Sequence, residues 1–276
     1  MNNHIKFYFL FSFFLFSCDT DSQIIQPVDC NGIVGGNATA DNCGVCDEIS
    51  SNDCVLDCAN VWGGNSVSDI DGNCYEILAM GNQLWFAENL KVTHYANGDP
   101  INGTAFEDQA WAQVHGNTLL TDIEYSELPG RYCAFDNDQN NIDILGLYYN
   151  GQAVNDDRGL CPEGYHIPSS GEWDAMETYL ESQNSEPINY QLSDSPYCQT
   201  SSNSSGFSGG FGGNRDYSNG QFVSYELGSW YWTSTMDGNS LIRQIYKAIG
   251  CSDLDYVSTG VASYNGSALN IRCIKD

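Results

Sequence analysis

Positive charge is scarce in this chain: 9 Lys and Arg stand against 36 Asp and Glu over 276 residues, a formal net charge of −27. Phosphate neutralisation cannot drive binding to nucleic acid in such a chain, and an anionic membrane surface would repel its body. Long apolar runs are missing too, and the N-terminal stretch Phe7 to Ser17 falls short of the ~20 apolar residues that span a bilayer. Histidine is rare, at four. The linear signatures of common enzymes are absent: there is no G-x-S-x-G elbow, no H-E-x-x-H and no Walker loop, and Gly209 to Gly213 lacks the Lys-Ser/Thr that phosphate binding requires. Acid pairs such as Asp156-Asp157, or Asp253 with Asp255, arise from composition in so acidic a chain, and no catalytic residue is expected.

What the chain does have is cysteine, 12 in all, a usage natural to an oxidising compartment. The first of them closes a leader. Met1 to Lys6 is a short n-region, Phe7 to Ser17 is an apolar h-region, and Leu15-Phe16-Ser17-Cys18 is similar to a bacterial lipobox, with a bulky Phe16 at the second position. Residues 1–17 are therefore expected to be a lipoprotein signal peptide, with lipid attached at Cys18. That lipid, rather than charge, would hold the protein to a membrane, since several acyl chains meet the two-signal requirement for stable anchoring. Asp19-Thr20-Asp21-Ser22 resembles the acidic stretch that directs some lipoproteins outward, so the expected home is the outer membrane with the chain displayed at the cell surface.

Residues 18–74 and 75–276 differ in kind. The first segment is poor in large apolar residues and rich in Asp, Asn, Gly and Cys, and it reads as a repeat stalk. Asp29 to Asn37 returns as Asp57 to Asn65, and Asp41-Asn42-Cys43 matches Asp71-Gly72-Asn73-Cys74 with a two-residue insertion. So little apolar surface cannot form a core, and disulfides or metal must staple such units. Cys30, Cys43, Cys46, Cys54, Cys58 and Cys74 can pair fully in 15 ways, and their connectivity is open. Structural pairing is preferred over redox or zinc chemistry at Cys43 to Cys46, which has neither a βαβ pattern nor a second CxxC beside it. Calcium is the alternative staple, because Asp69, Asp71 and Asn73 place side-chain oxygens on alternate residues, although Gly72 falls too early for an EF-hand and no bidentate Glu follows. The segment resembles Asp/Cys-rich stalk repeats of secreted bacterial proteins and, more distantly, the calcium-binding repeats of thrombospondins.

Residues 75–276 are aromatic-rich and long enough for one substantial core. Tyr75 to Ala79 and Gln83 to Phe86 flank Met80-Gly81-Asn82 as a hairpin signal. Thr104 with Glu107 suggests a helix over about 105–115. A clearer helix follows Pro168, where Ser169 and Glu172 form a capping-box pattern and Trp173, Met176 and Leu180 share one face. Short β runs occur at 221–225, 230–234, 241–249 and 269–274. Few helices, short strands and long loops indicate an α+β fold.

The ordered motifs of this region carry a family resemblance. They are Gly81-Asn82-Gln83-Leu84-Trp85 with Glu88-Asn89-Leu90; Tyr95 with Asn97-Gly98-Asp99-Pro100-Ile101; Arg131-Tyr132-Cys133 with Asn137-Asp138; and Gly146-Leu147-Tyr148-Tyr149-Asn150 with Ala153-Val154. Leu160-Cys161-Pro162-Glu163-Gly164-Tyr165-His166-Ile167-Pro168, Glu172-Trp173, Gly206-Phe207-Ser208, Gly213 with Arg215, Trp230-Tyr231-Trp232-Thr233-Ser234 and Ile271-Arg272-Cys273-Ile274-Lys275 follow in order. As a set they resemble the Fibrobacter succinogenes major paralogous domain, found on exported proteins and lipoproteins of Fibrobacter and Bacteroidota. The resemblance implies a C-type-lectin-like fold, related to that of sulfatase-modifying factors. By the same analogy Cys161 pairs with Cys273, and Cys198 with Cys251, which leaves Cys133 odd.

Several residues stand out as candidate sites. Trp230 and Trp232 on one strand face, with Tyr148, Tyr149 and Tyr217 elsewhere, could stack on sugars, although aromatics at alternate strand positions are first read as core. Asp136 and Asp138 begin like a calcium loop without its later Gly and Glu. Glu186-Pro187-Ile188-Asn189 misses a lectin calcium motif by one residue, and His166 inside its Pro-flanked motif reads as structural. The expected function is a non-catalytic surface binding or interaction module whose partners are the membrane, through its lipid, and an extracellular glycan or protein. The alternatives are a calcium-dependent glycan-binding protein and a hydrolase without a linear motif.

Overall fold

The computed structural model describes residues 26–103, 111–112, 124, 127–183, 186–195, 200–238, 244–250, 257–262 and 266–276. Cys18 and its leader, Cys198 and Cys251 lie outside the described residues, as does most of the helix expected over 105–115, of which Trp111 and Ala112 are helical. The chain forms two compact units that divide between Cys54 and Val55.

In the first unit, β1 (Thr39–Ala40) pairs antiparallel with β2 (Cys46–Asp47), and two disulfides, Cys30–Cys46 and Cys43–Cys54, staple a segment in which, among the described residues, Ala38 is the one buried hydrophobic. The CxxC cysteines thus serve two different bridges. Aspartates do much of the remaining organisation. Asp29 Oδ1 accepts hydrogen bonds from the Asn31 and Ile33 amides, and Asp41 Oδ1 from those of Cys43 and Val45, while Asp41 Oδ2 accepts from the Cys54 amide at 3.0 Å. A side-chain oxygen that satisfies several amides fixes a tight loop without a core. Gly36 follows from the same geometry, for a Cβ there would sit 1.9 Å from Asp29 Oδ2.

The second unit opens on a copy of this design. Asp57 accepts from Val61 and Ser66, Asp69 accepts from Asp71 and Asn73, β3 (Val67–Ser68) pairs with β4 (Cys74–Tyr75), and Cys58 bonds Cys74. The bridges Cys30–Cys46 and Cys58–Cys74 have the same sequence separation, 16. Strand for strand, 39–40 becomes 67–68 and 46–47 becomes 74–75. The repeat is therefore ungapped, which corrects the alignment with an insertion: Asp41 answers to Asp69, and the place of Cys43 is taken by Asp71. Asp71 accepts from the Thr93 amide and hydroxyl and lies 2.6 Å from His94 Nδ1, so the second repeat is joined to the domain that follows it.

That domain is α+β. Its described strands are β5 (Ile77–Met80), β6 (Gln83–Phe86), β7 (Asn102–Gly103), β8 (Arg131–Ala134), β9 (Leu147–Asn150), β10 (Tyr165–His166), β11 (Asn214–Arg215), β12 (Phe222–Val223), β13 (Gly228–Met236), β14 (Gln244–Gly250), β15 (Val257–Ala262), β16 (Ala268–Leu269) and β17 (Ile274–Lys275). They form sheets of order β10-β17-β6-β5, β12-β11-β16-β9-β8-β7 and β13-β14-β15, antiparallel except for β7 with β8. Four α-helices lie wholly among the described residues: α1 (Ile142–Leu145), α2 (Gly151–Val154), α3 (Ser170–Gln183) and α4 (Ile188–Leu192).

Local signals act as the sequence suggests. β5 and β6 pair Met80 with Gln83 across Gly81-Asn82, and Gly81 has φ +63°, the left-handed conformation a two-residue turn requires. At α3 the Ser169 amide donates to Glu172 Oε2 at 2.7 Å while the Glu172 amide reaches Ser169 Oγ, a reciprocal capping box. Trp173, Met176 and Leu180 on the buried face of α3 pack with Trp85, Phe207 and Tyr231, ring to ring at 5.0 to 5.7 Å from Trp173.

A second cluster gathers Tyr75, Phe86, Leu90, Tyr149, Trp232 and Ile271 around Cys161 and Cys273, which are bonded to each other. Trp232 is thus core: it is fully buried and its Nε1 donates to the Tyr149 carbonyl at 2.7 Å. The sugar platform of Trp230 and Trp232 is corrected accordingly, since Trp230 is itself half-buried against the same cluster and Tyr148 and Tyr149 are enclosed. Cys133 is buried on β8. No helix among the described residues is long and apolar enough to cross a membrane.

Candidate functional site

A cleft of about 730 Å³ opens on the domain, with walls that include Tyr95, Pro129, Gly130, Gln152, Asp157, Arg158 and Met236. Asn150 builds one wall. Its buried side chain accepts from the Arg131 amide at 2.7 Å and donates to the Pro129 carbonyl, while it caps α2 by accepting from Ala153. Gly130 is required at the floor, because a Cβ would lie 2.2 Å from the Tyr95 hydroxyl and 2.8 Å from Ala153 Cα.

Arg158 is the cation of this cleft. It grips Asp156 through Nε at 2.8 Å and Nη2 at 2.7 Å, reaches Asp99 through Nη1 at 3.0 Å, and lies 3.9 Å over the Tyr95 ring. A bidentate, ring-stacked guanidinium is a rigid fixture rather than a mobile charge. The bonds from Asp156 and Asp99 raise the Arg158 pKa, and the same contacts hold Asp156 below the usual carboxylate range. Burial, with Asp156 nearby, pushes the Tyr95 phenol up to about 12, so it stays a neutral donor at any physiological pH. The arrangement offers fixed donors and acceptors, two proline faces and Met236 to a ligand.

The expected metal ligands do not converge. Asp69 is buried and its oxygens accept from the Asp71 and Asn73 amides, from Asn73 Nδ2 and, at 2.7 Å, from the Tyr75 hydroxyl. Asp71 turns to Thr93 and His94, and Asp138 turns its Oδ1 to the amide and side chain of Asn140 next to an exposed Asp136. Protein donors thus occupy lone pairs of Asp69 and Asp71 that calcium would need. Among the described residues one trio of His, Cys, Asp or Glu brings its ligand atoms together, Asp41 with Cys43 and Cys54, and those two cysteines are bonded to each other.

His166 is structural, as its motif suggests, and it is pH-sensitive. Nε2 contacts Glu172 at 2.9 Å and Nδ1 contacts Asp276 at 2.7 Å, which links β10 to the cap of α3. Burial alone would lower its pKa, but the hydrogen bonds to Asp276 and Glu172 outweigh that and raise it. A raised histidine pKa gives stability that is full below about pH 6.5 and is lost as pH rises through the folded value. The melting temperature is therefore expected to fall between about pH 6 and pH 8. His166→Gln should flatten that slope, and a slope unchanged in the variant would assign it to other groups.

Sequence reasoning missed the cleft because its parts span Tyr95 to Met236. The available signal was Arg158, one of the few cations, placed directly after Asp156-Asp157.

An α+β domain stapled by a long-range disulfide, with a rigid polar cleft on its surface, is thus the class of protein the geometry defines. The model of the Fibrobacter succinogenes major domain matches residues 78–275, and the chain belongs to that family. No curated protein and no solved structure matches the chain.

Proposed function

We propose that this protein is a lipid-anchored, non-catalytic binding module of C-type-lectin-like architecture, displayed on the outer face of the outer membrane. The cleft of about 730 Å³ carries the reading. Its fixed Arg158–Asp156 pair, amides and apolar faces suit recognition, and a preorganised site of that size fits a small ligand or a short segment of a polymer. The leader ending at Cys18 supports the anchor, and the disulfides support an oxidising compartment.

One set of cells tests both parts. Cys18→Ser is expected to move the protein wholly out of the membrane fraction, whereas Asp157→Arg should stay anchored and lose at least about tenfold in affinity for whichever member of a glycan and peptide panel the wild type binds. Persistence of Cys18→Ser in the membrane would remove the anchor from the reading. Turnover of a panel member by the wild type would replace binding by catalysis.

A further inference from the structure

Away from the cleft, two loops meet at a pair of aromatic rings. Phe135 and Tyr225 are stacked at 4.8 Å with an interplanar angle of 26°, and Phe222 closes on Phe135 edge to face at 4.9 Å. Tyr225 is 40 % exposed and Leu227 beside it 67 %. Each of the two stacked residues is followed by an exposed carboxylate, Asp136 after Phe135 and Glu226 after Tyr225.

The backbone here is strained. Asp136, Asn137, Ser224 and Glu226 have φ of +52°, +57°, +60° and +65°, four of the seven non-glycine residues with left-handed φ among the described residues. Such conformations are costly and persist where surrounding structure enforces them, with active sites and ligand clamps among the places they cluster. The enforcement is visible. Arg215, fully buried, donates from Nη1 to Asn137 Oδ1 at 2.9 Å and lies under the rings of Trp111 and Phe222. The Glu226 amide donates to the Phe211 carbonyl at 3.0 Å, and Gly213 lets the second loop approach so closely that a Cβ there would sit 2.1 Å from the Val223 carbonyl. A half-exposed ring held on rigid supports loses little entropy when it binds.

We propose that the Phe135–Tyr225 stack is the floor of a second binding site, one that takes neutral glycans. The outer face of Tyr225 would pack on the apolar face of a pyranose, and Asp136 and Glu226 would accept hydrogen bonds from its hydroxyls. The choice of ligand follows from charge: two carboxylate acceptors beside the ring favour hydroxyl donors and repel acidic sugars, while the cation below them, Arg215, is buried and committed to Asn137 and the Gly220 carbonyl. No metal takes part.

Affinity electrophoresis of the full chain in gels containing xylan, β-glucan or mannan, with polygalacturonate as the acidic control and EDTA throughout, tests this. Retardation by at least one neutral polymer and none by polygalacturonate is expected. The association constant should fall about tenfold in Tyr225→Ala and severalfold in Glu226→Gln, and remain unchanged in Trp62→Ser, an exposed aromatic of the second repeat. Should Tyr225→Ala fail to fold by near-ultraviolet circular dichroism, Tyr225→Leu keeps the apolar bulk without the ring and carries the same expectation. No retardation by any neutral polymer, equal retardation of Tyr225→Leu and wild type, or binding that appears only when calcium replaces EDTA would each overturn the proposal. Loss in Asp157→Arg with Tyr225→Ala intact would also overturn it, moving the glycan to the cleft.

Discussion

Replacing Arg272 with Met is expected to lower the stability of the domain by about 3–5 kcal/mol, enough to leave much of it unfolded. Arg272 is buried, and among the described residues no carboxylate pairs with it. Its Nε donates to Asn89 Oδ1 at 2.6 Å, Nη1 to the Phe86 carbonyl at 3.0 Å and Nη2 to the Ser208 carbonyl at 3.2 Å, and its guanidinium lies 4.1 Å over the Phe207 ring. Burial lowers its pKa from the ordinary arginine value, but arginine retains its proton inside proteins, so the charge is carried by three neutral oxygens and ring faces. Methionine fills the volume and leaves those oxygens buried without donors, each at a cost of ~1–3 kcal/mol. Arg272→Lys should lie between, since one ammonium cannot reproduce the planar fork. Guanidinium denaturation reads this as a shifted midpoint with an unchanged slope, and a loss under about 1 kcal/mol for Arg272→Met would show that the charge costs nearly as much as its bonds return.

The second large effect concerns Cys161 and Cys273. Their disulfide spans a sequence separation of 112, and in the chain-entropy model a loop of that size is worth about 4–5 kcal/mol. Cys161→Ala with Cys273→Ala is therefore expected to cost about that much, measured by the same denaturation. The tie is mechanical as well as entropic: β17 follows Cys273 directly and pairs with both β6 and β10, and the Phe86 amide donates to the Cys273 carbonyl. A double variant as stable as wild type would mean that the sheet alone fixes β17.

These residues also show what a sequence discloses. The hairpin at Gly81-Asn82 and the Ser169–Glu172 cap were legible because the interactions that make them lie within four residues of chain. The family motifs were legible as an ordered set, and the Cys161–Cys273 pairing followed from the resemblance they carry. Roles decided by packing across the chain were not. Trp232 reads first as core, but the platform stays open until its Nε1 is seen to bond the Tyr149 carbonyl on β9. Asp69-Ile70-Asp71-Gly72-Asn73 presents alternate oxygens whether the partner is a cation or a run of amides, and here the amides hold them. The repeat was misaligned because Cys43 invited a match with Cys74, when the residue paired across the strand is Cys46. Nothing local could assemble Tyr95, Gly130 and Arg158 into one cleft, nor bring Phe135 against Tyr225.

Trp85, Asn89, Tyr149, Asn150, Trp173, Arg215, Trp232, Arg272 and Cys273, all drawn from the motifs that mark the family, are buried. Much of the signature is therefore a record of folding, although Tyr95 and Pro100 of the same motifs line the cleft. Two members could agree at every one of these positions and still bind unrelated molecules, because the loop over 222–227 lies outside those motifs. Such a domain is a frame whose interior is fixed by packing while its rim is left to carry recognition.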